Sequence, residues 1–208
     1  MRLRVTAIIL VSLAAFSSAS ATGEDTPKDA MARLMAAIAA HDAAAVRQIC
    51  AVDDPRDRPL VDATADMLVA GRMLADAASK RFGPAAHPIG KGPIAAGDEK
   101  DIASAKVSIV GDKAELVMPG HTFPVRFVRR DGSWKLKVVD FAGTQPRDPE
   151  KQAALVEMFG QAMREAAEEI EQDRYATPDD AEAAIRQKLN FVLMRSLGAT
   201  TAPSTAPG

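Results

Sequence analysis

The stretch RFVRRDGSWKLKVVDF, residues 126–141, decides the fold of this chain. Asp131 and Gly132 form a strong short-range signal for a tight β-hairpin turn. Apolar and charged residues alternate after the turn, as they do in a strand with one buried face. That face carries Trp134, Leu136 and Val138, and the same alternation brings Asp140 onto it. The stretch therefore predicts two antiparallel strands with an apolar side turned toward a core.

The alternating pattern extends upstream of this hairpin. The segments IASAKVSIV and KAELVMPG flank Gly111 and Asp112, which suit a second tight turn. The segment TFPVRFVRR then leads into the hairpin described above. Together these patterns predict a four-stranded antiparallel meander over residues 102–141.

Helical periodicity flanks the predicted sheet on both sides. Thr26 is expected to cap a first helix, and Asp42 a shorter one after a break. A long helix over residues 60–82 should end at Gly83, followed by an irregular connection up to residue 101. After the sheet, Asp148 and Thr177 are expected to cap two more helices. The predicted fold class is α+β, with N-terminal helices packed on the meander sheet and a C-terminal helical pair behind it.

The first residues predict export. The segment MRLRVTAIILVSLAAFSSASA, residues 1–21, has a basic start, an apolar core and a small-residue cleavage site, which is the pattern of a signal peptide. The product is expected in the periplasm or outside the cell, with no membrane association after cleavage. Residues 22–145 are predicted to form the α+β domain, 146–197 a C-terminal helical extension, and 198–208 a disordered tail.

Composition excludes several functional classes. The net charge of −2 and the lack of basic runs with interleaved aromatics argue against nucleic acid as a partner. The single cysteine, Cys50, lies in the apolar register of a helix and is interpreted as a buried hydrophobe. The three histidines are isolated and no Cys-x-x-Cys spacing occurs, so no metal site is predicted. No phosphate-binding loop or nucleophile elbow is present, and no cofactor is expected.

The order of elements resembles the nuclear transport factor 2-like superfamily, especially its small exported members. The resemblance rests on the helix break in AAHDAAAVRQI and on the hairpin RFVRRDGSWKLKVVDF, and it covers residues 26–141. It implies a cone-like domain with a cavity between sheet and helices, used for catalysis, binding or dimerisation. The chain departs from this pattern in the connection at residues 83–101 and in the helices after the last strand. No catalytic motif of the family is matched.

A ligand pocket at the cavity would be lined by Trp134, Asp140, Phe127 and Val138. A carboxylate beside apolar side chains can have a raised pKa and act as a base, so Asp140 is the candidate for chemistry, with His121 as a candidate acid. In the alternative, the strand ends at Val138 and Asp140 faces solvent. No residue is assigned a catalytic role.

The favoured hypothesis is an exported, non-enzymatic binding module for a small apolar ligand or a protein partner at the cavity or sheet face. The alternative is a cavity enzyme of isomerase or dehydratase type that uses Asp140 as base. The C-terminal helices could also pair between two subunits of a homodimer, or serve a purely structural role in assembly.

Overall fold

The structure of the protein is a computed structural model that describes residues 25–86, 99–120, 124–138 and 148–196. The predicted signal peptide, the predicted tail, Asp140 and His121 lie outside the described residues. The described α-helices are α1 Pro27–Ala39, α2 Ala43–Ile49, α3 Arg58–Phe82, α4 Glu99–Ser104, α5 Pro149–Glu171 and α6 Pro178–Ser196. The described strands are β1 Lys106–Val110, β2 Lys113–Val117, β3 Val125–Arg130 and β4 Ser133–Leu136.

The helices begin at the capping residues that the sequence predicted. Thr26 and Asp29 form a capping box at α1, in which each side chain satisfies a backbone N–H of the other residue. Asp42 Oδ1 accepts the Ala45 N–H at 2.9 Å and starts α2 after the break. Asp148 and Thr177 cap α5 and α6 by the same kind of bond. These bonds satisfy N–H groups that the first turn of a helix leaves unpaired.

The four strands form an antiparallel meander in the order β1-β2-β3-β4, as predicted. Both predicted turns join neighbouring strands, at Gly111 and Asp112 and at Asp131 and Gly132. The register places Phe127 opposite Leu136 on the core face. The expected start of the first strand at Ile102 is wrong, because residues 99–104 form the short helix α4. Ile102 lies on α4 and its side chain is buried. Lys28 of α1 donates a hydrogen bond to the Ala103 carbonyl of the same helix.

A first hydrophobic cluster fills the space between the sheet and α1, α2 and the first half of α3. Its largest members have 1% of their surface exposed or less, as burial of apolar surface requires: Met31, Leu34, Leu116, Phe127, Trp134 and Leu136. Asp25 ties the start of α1 to β4, because its Oδ2 accepts the backbone N–H of Trp134 at 2.8 Å. Ala51 donates its N–H to the carbonyl of Leu136 at 2.8 Å, so the segment after α2 covers part of the β4 edge.

The long helices α3 and α5 pack side by side and run in the same direction. Met67 contacts Gly160, Gly71 contacts Met163, and Arg81 binds Asp173 just past the end of α5, so residue numbers rise together along both helices. A Cβ at Gly160 would lie 3.2 Å from the Met67 Cα, which explains why the smallest residue occupies this position. The 25 residues of α3 span about 37 Å. This length lets α3 serve two hydrophobic clusters.

The second cluster lies between the C-terminal halves of α3 and α5 and the start of α6. Its buried members are mostly small, which allows the three helices to approach closely: Leu74, Ala77, Ala78, Ala86, Ala166, Ala167, Ile170, Ala181 and Ile185. The protein is therefore α+β, with N-terminal helices on a four-stranded antiparallel meander and a C-terminal helical pair. The division into an N-terminal domain and a C-terminal extension stays a prediction.

Candidate functional site

A groove between α5 and α6 is the candidate site in the described part of the chain. It encloses about 590 Å³, a size within the range of about 300–1,000 Å³ that small-molecule sites occupy. Positions three and four residues apart on each helix line it, because such positions share one face of a helix. On α5 they include Met158, Ala162, Glu165 and Glu169, and on α6 Ala184, Lys188, Phe191 and Arg195.

One part of the groove is apolar and open to solvent. Met158 and Ala162 line it from α5, and Phe191 and Val192 from α6. Phe191 is 66% exposed, an unusual state for a large aromatic side chain, whereas its neighbour Val192 is 9% exposed. Four apolar residues follow one another at positions 191–194, so one helix cannot turn all of them toward a core. Some of these apolar side chains therefore remain exposed in the groove and at its edge.

The part of the groove near the α5–α6 turn is a closed network of charges. The Tyr175 hydroxyl donates to Glu169 Oε2. Lys188 Nζ donates to Glu169 Oε1 at 3.1 Å and lies 3.9 Å from Glu165 Oε2. Glu165 also accepts from the Gln161 amide at 3.0 Å. Both groove carboxylates and the lysine therefore have partners within the protein.

This network moves the pKa values of Glu169 and Tyr175 away from neutral pH. The hydrogen bond from Tyr175, followed by the bond and charge of Lys188, holds the pKa of Glu169 below its usual range. Burial, followed by the hydrogen bond to Glu169, raises the pKa of Tyr175 to about 12. Glu169 is therefore a carboxylate and Tyr175 a neutral phenol across the physiological range. Efficient general acids and bases have pKa values near the working pH, so neither group is matched to proton transfer.

Arg195 lies at the apolar end of the groove, one helical turn beyond Phe191. Its guanidinium forms no hydrogen bond or ion pair with any residue that the structure describes. Arg186, by contrast, lies on the same helix outside the groove and binds Glu182 at 2.7 Å. The groove therefore combines an apolar floor with one cation whose charge the described residues do not neutralise.

Three of the residues predicted to line a pocket lie in the first hydrophobic cluster. Trp134 and Phe127 are 1% exposed and Val138 is 2% exposed. The Arg129 guanidinium covers the Trp134 ring at 4.9 Å, and the Trp134 Nε1 has no hydrogen-bond partner among the described residues. The fourth residue, Asp140, lies outside those residues, so a pocket at this place stays a prediction. The described side chains pack as core.

Sequence reasoning missed the groove because its two carboxylates, Glu165 and Glu169, belong to the charged run REAAEEIEQDR, residues 164–174, and such a run usually forms a solvated helix face. Tyr175, the only tyrosine, was not singled out. The usable signal was the apolar run at residues 191–194, which exceeds what one helix face can bury. Burial raises the pKa of the Cys50 thiol to about 12, as expected for an unreactive packing residue.

No group of three or more potential metal ligands converges anywhere in the described ranges. Nor does any helix within them combine the length and apolar character needed to cross a membrane. No protein-family model matches the chain, and no curated protein or solved structure matches it.

Proposed function

We propose that the protein is an exported, non-enzymatic binding module that holds an apolar ligand in the groove between α5 and α6. The observation that carries the proposal is the exposed ring of Phe191 beside a groove of about 590 Å³. Burying apolar surface contributes about 25 cal/mol per Å², so a ligand that covers this ring and Met158 gains affinity by removing their surface from water. Export is inferred from the signal-peptide pattern of residues 1–21.

The chemistry of the groove supports binding rather than catalysis. Its acid, phenol and amine are bonded to one another, and the pKa values of Glu169 and Tyr175 are displaced away from neutrality. Such a network joins α5 to α6 across the groove. A proton-transfer site would instead leave one group unpaired with a pKa near the working pH.

The distribution of chromophores allows a direct test. Tyr175 is the only tyrosine and lines the groove, while Trp134 is the only tryptophan and lies in the sheet cluster. In a protein with isotope-labelled tyrosine and tryptophan rings, titration with the apolar dye Nile red should shift the NMR signals of Tyr175. The signals of Trp134 should stay in place.

Phe191→Ser should lower the affinity for the dye about 10- to 100-fold, since burying a phenylalanine side chain is worth about 1.5–3 kcal/mol. Ile109→Ser is the matched control, because Ile109 is 54% exposed on β1, away from the groove. Equal affinities of the wild type and Phe191→Ser would contradict the proposal. If the NMR signals of Trp134 shifted and those of Tyr175 did not, the dye would bind at the pocket that the sequence predicted at the sheet.

A further inference from the structure

The charges of the groove indicate which class of ligand it takes. We propose that the ligand is an amphipathic anion, whose apolar body lies on Phe191 and Val192 and whose carboxylate binds Arg195. This inference rests on the proposed function, because it assigns a chemical class to the occupant of the same groove.

The first step is the accounting of charge within the groove. Lys188 is held by Glu169 at 3.1 Å and faces Glu165 at 3.9 Å. Glu165 also accepts from the neutral Gln161 amide, and Arg174, outside the lining, lies 4.0 Å from Glu169, so the two carboxylates face two cations. Arg195 is the remaining charged side chain of the lining, and no described residue neutralises it. A ligand that complements the groove therefore brings a negative charge, and it brings it to the apolar end.

The second step is the placement of this cation relative to the apolar surface. Phe191 and Arg195 are four residues apart on α6, so their side chains are neighbours on one face of the helix. Met158 faces them from α5. A body that lies along Phe191 thus ends at the guanidinium, which presents paired N–H groups suited to the two oxygens of a carboxylate.

The third step is the expected strength of the head-group contact. Arg195 is exposed, and exposed ion pairs contribute modestly because water screens them. The apolar body therefore supplies most of the affinity, and the carboxylate adds about fivefold. The preference for an anion should shrink as ionic strength rises, since salt screens exposed charges.

The test compares three probes with the same alkyl chain: decanoate, decanol and decylamine. Each displaces Nile red from the wild type, Arg195→Gln and Arg186→Gln at neutral pH, below its micelle-forming concentration. In the wild type, decanoate should bind about fivefold more tightly than decanol, and decylamine more weakly than both. Arg195→Gln should remove the advantage of decanoate and leave decanol unchanged. Arg186→Gln, which removes an arginine outside the groove, should behave as the wild type.

The outcomes separate the two proposals. If none of the probes displaces the dye and the dye itself does not shift Tyr175, the binding groove is wrong. If decanol binds as tightly as decanoate to the wild type, the groove stands and the anionic ligand is overturned. If the preference for decanoate survives in Arg195→Gln, Arg195 is not its cause and the assignment is equally overturned.

Discussion

Gly160 is the point where the close packing of α3 and α5 can be tested with a single methyl group. A Cβ at this position would lie 3.2 Å from the Met67 Cα and 3.5 Å from the Met67 N. Both atoms belong to the backbone, so no side-chain rotation can relieve the contact. At Gly71 on α3, the nearest atom to an added Cβ is the flexible Met163 sulfur, at 3.6 Å. The two glycines therefore form a matched pair that differs in available space.

The expected magnitudes follow from two opposing effects. Glycine in a helix interior is about 1 kcal/mol less favourable than alanine. Gly71→Ala should keep most of this gain and raise the free energy of unfolding by about 0.5–1 kcal/mol. At Gly160 the added methyl must push α3 away from α5, and overpacking of this kind costs about 1–3 kcal/mol. Gly160→Ala should therefore lower the free energy of unfolding by about 1 kcal/mol.

Urea unfolding followed by the fluorescence of Trp134 and by far-ultraviolet circular dichroism measures both changes. The corresponding shift in melting temperature is about 2–4 °C for each kcal/mol in a chain of this size. A Gly160→Ala variant as stable as Gly71→Ala would refute the close approach of the two helices. If both variants had a lower free energy of unfolding than the wild type, helix propensity would not govern the effect at these sites.

Two further predictions concern the charged networks. Glu169→Gln should lower the pKa of Tyr175 from about 12 toward, but not down to, the ordinary value of about 10, because burial remains. Ultraviolet titration of Tyr175, the only tyrosine, measures this pKa, and an unchanged midpoint would disprove the hydrogen bond between Tyr175 and Glu169. In the wild type, the stability linked to the raised pKa is present below pH about 10 and lost as pH rises toward 12. Asp25→Asn should lower the free energy of unfolding by about 1–2 kcal/mol at neutral pH, since the carboxylate binds Arg33 and the N–H of Trp134. Arg33 holds the pKa of folded Asp25 below its usual value of about 4, so this stabilisation is present above pH about 4 and is lost as pH falls through the lowered pKa. Urea unfolding of both proteins across the acid range should show their stabilities converge. A constant difference in stability would contradict this prediction.

The parts of the fold that could be predicted from sequence are those set by local chemistry. Thr26 and Asp42 cap helices because their side chains reach N–H groups two or three residues away. Asp131 and Gly132 both have positive φ, at 49° and 78°, as a tight hairpin turn requires. The face shared by Trp134 and Leu136 follows from the strand period of two. None of these features depends on distant residues.

The pairing of α3 with α5 could not be predicted in the same way. The two helices are separated in sequence by the whole sheet, and their apolar stripes carry no information about which helix each one meets. Gly160 gave no signal in the sequence either, because a glycine within a helical pattern has many explanations. The groove depends on this pairing, since α6 can only pack where α5 has been placed. Its residues were therefore visible in the sequence, but their convergence was not.

The charge network near the α5–α6 turn explains why the binding character of the groove should be insensitive to pH. Tyr175 and Lys188 keep Glu169 ionised, and burial keeps Tyr175 protonated. The charges of Glu169 and Tyr175 therefore stay the same from mildly acidic to mildly alkaline conditions. With the rest of the lining paired, Arg195 alone presents an uncompensated charge among the described groove residues. The affinity for an amphipathic carboxylate should then follow the ionisation of the ligand and not that of Glu169 or Tyr175.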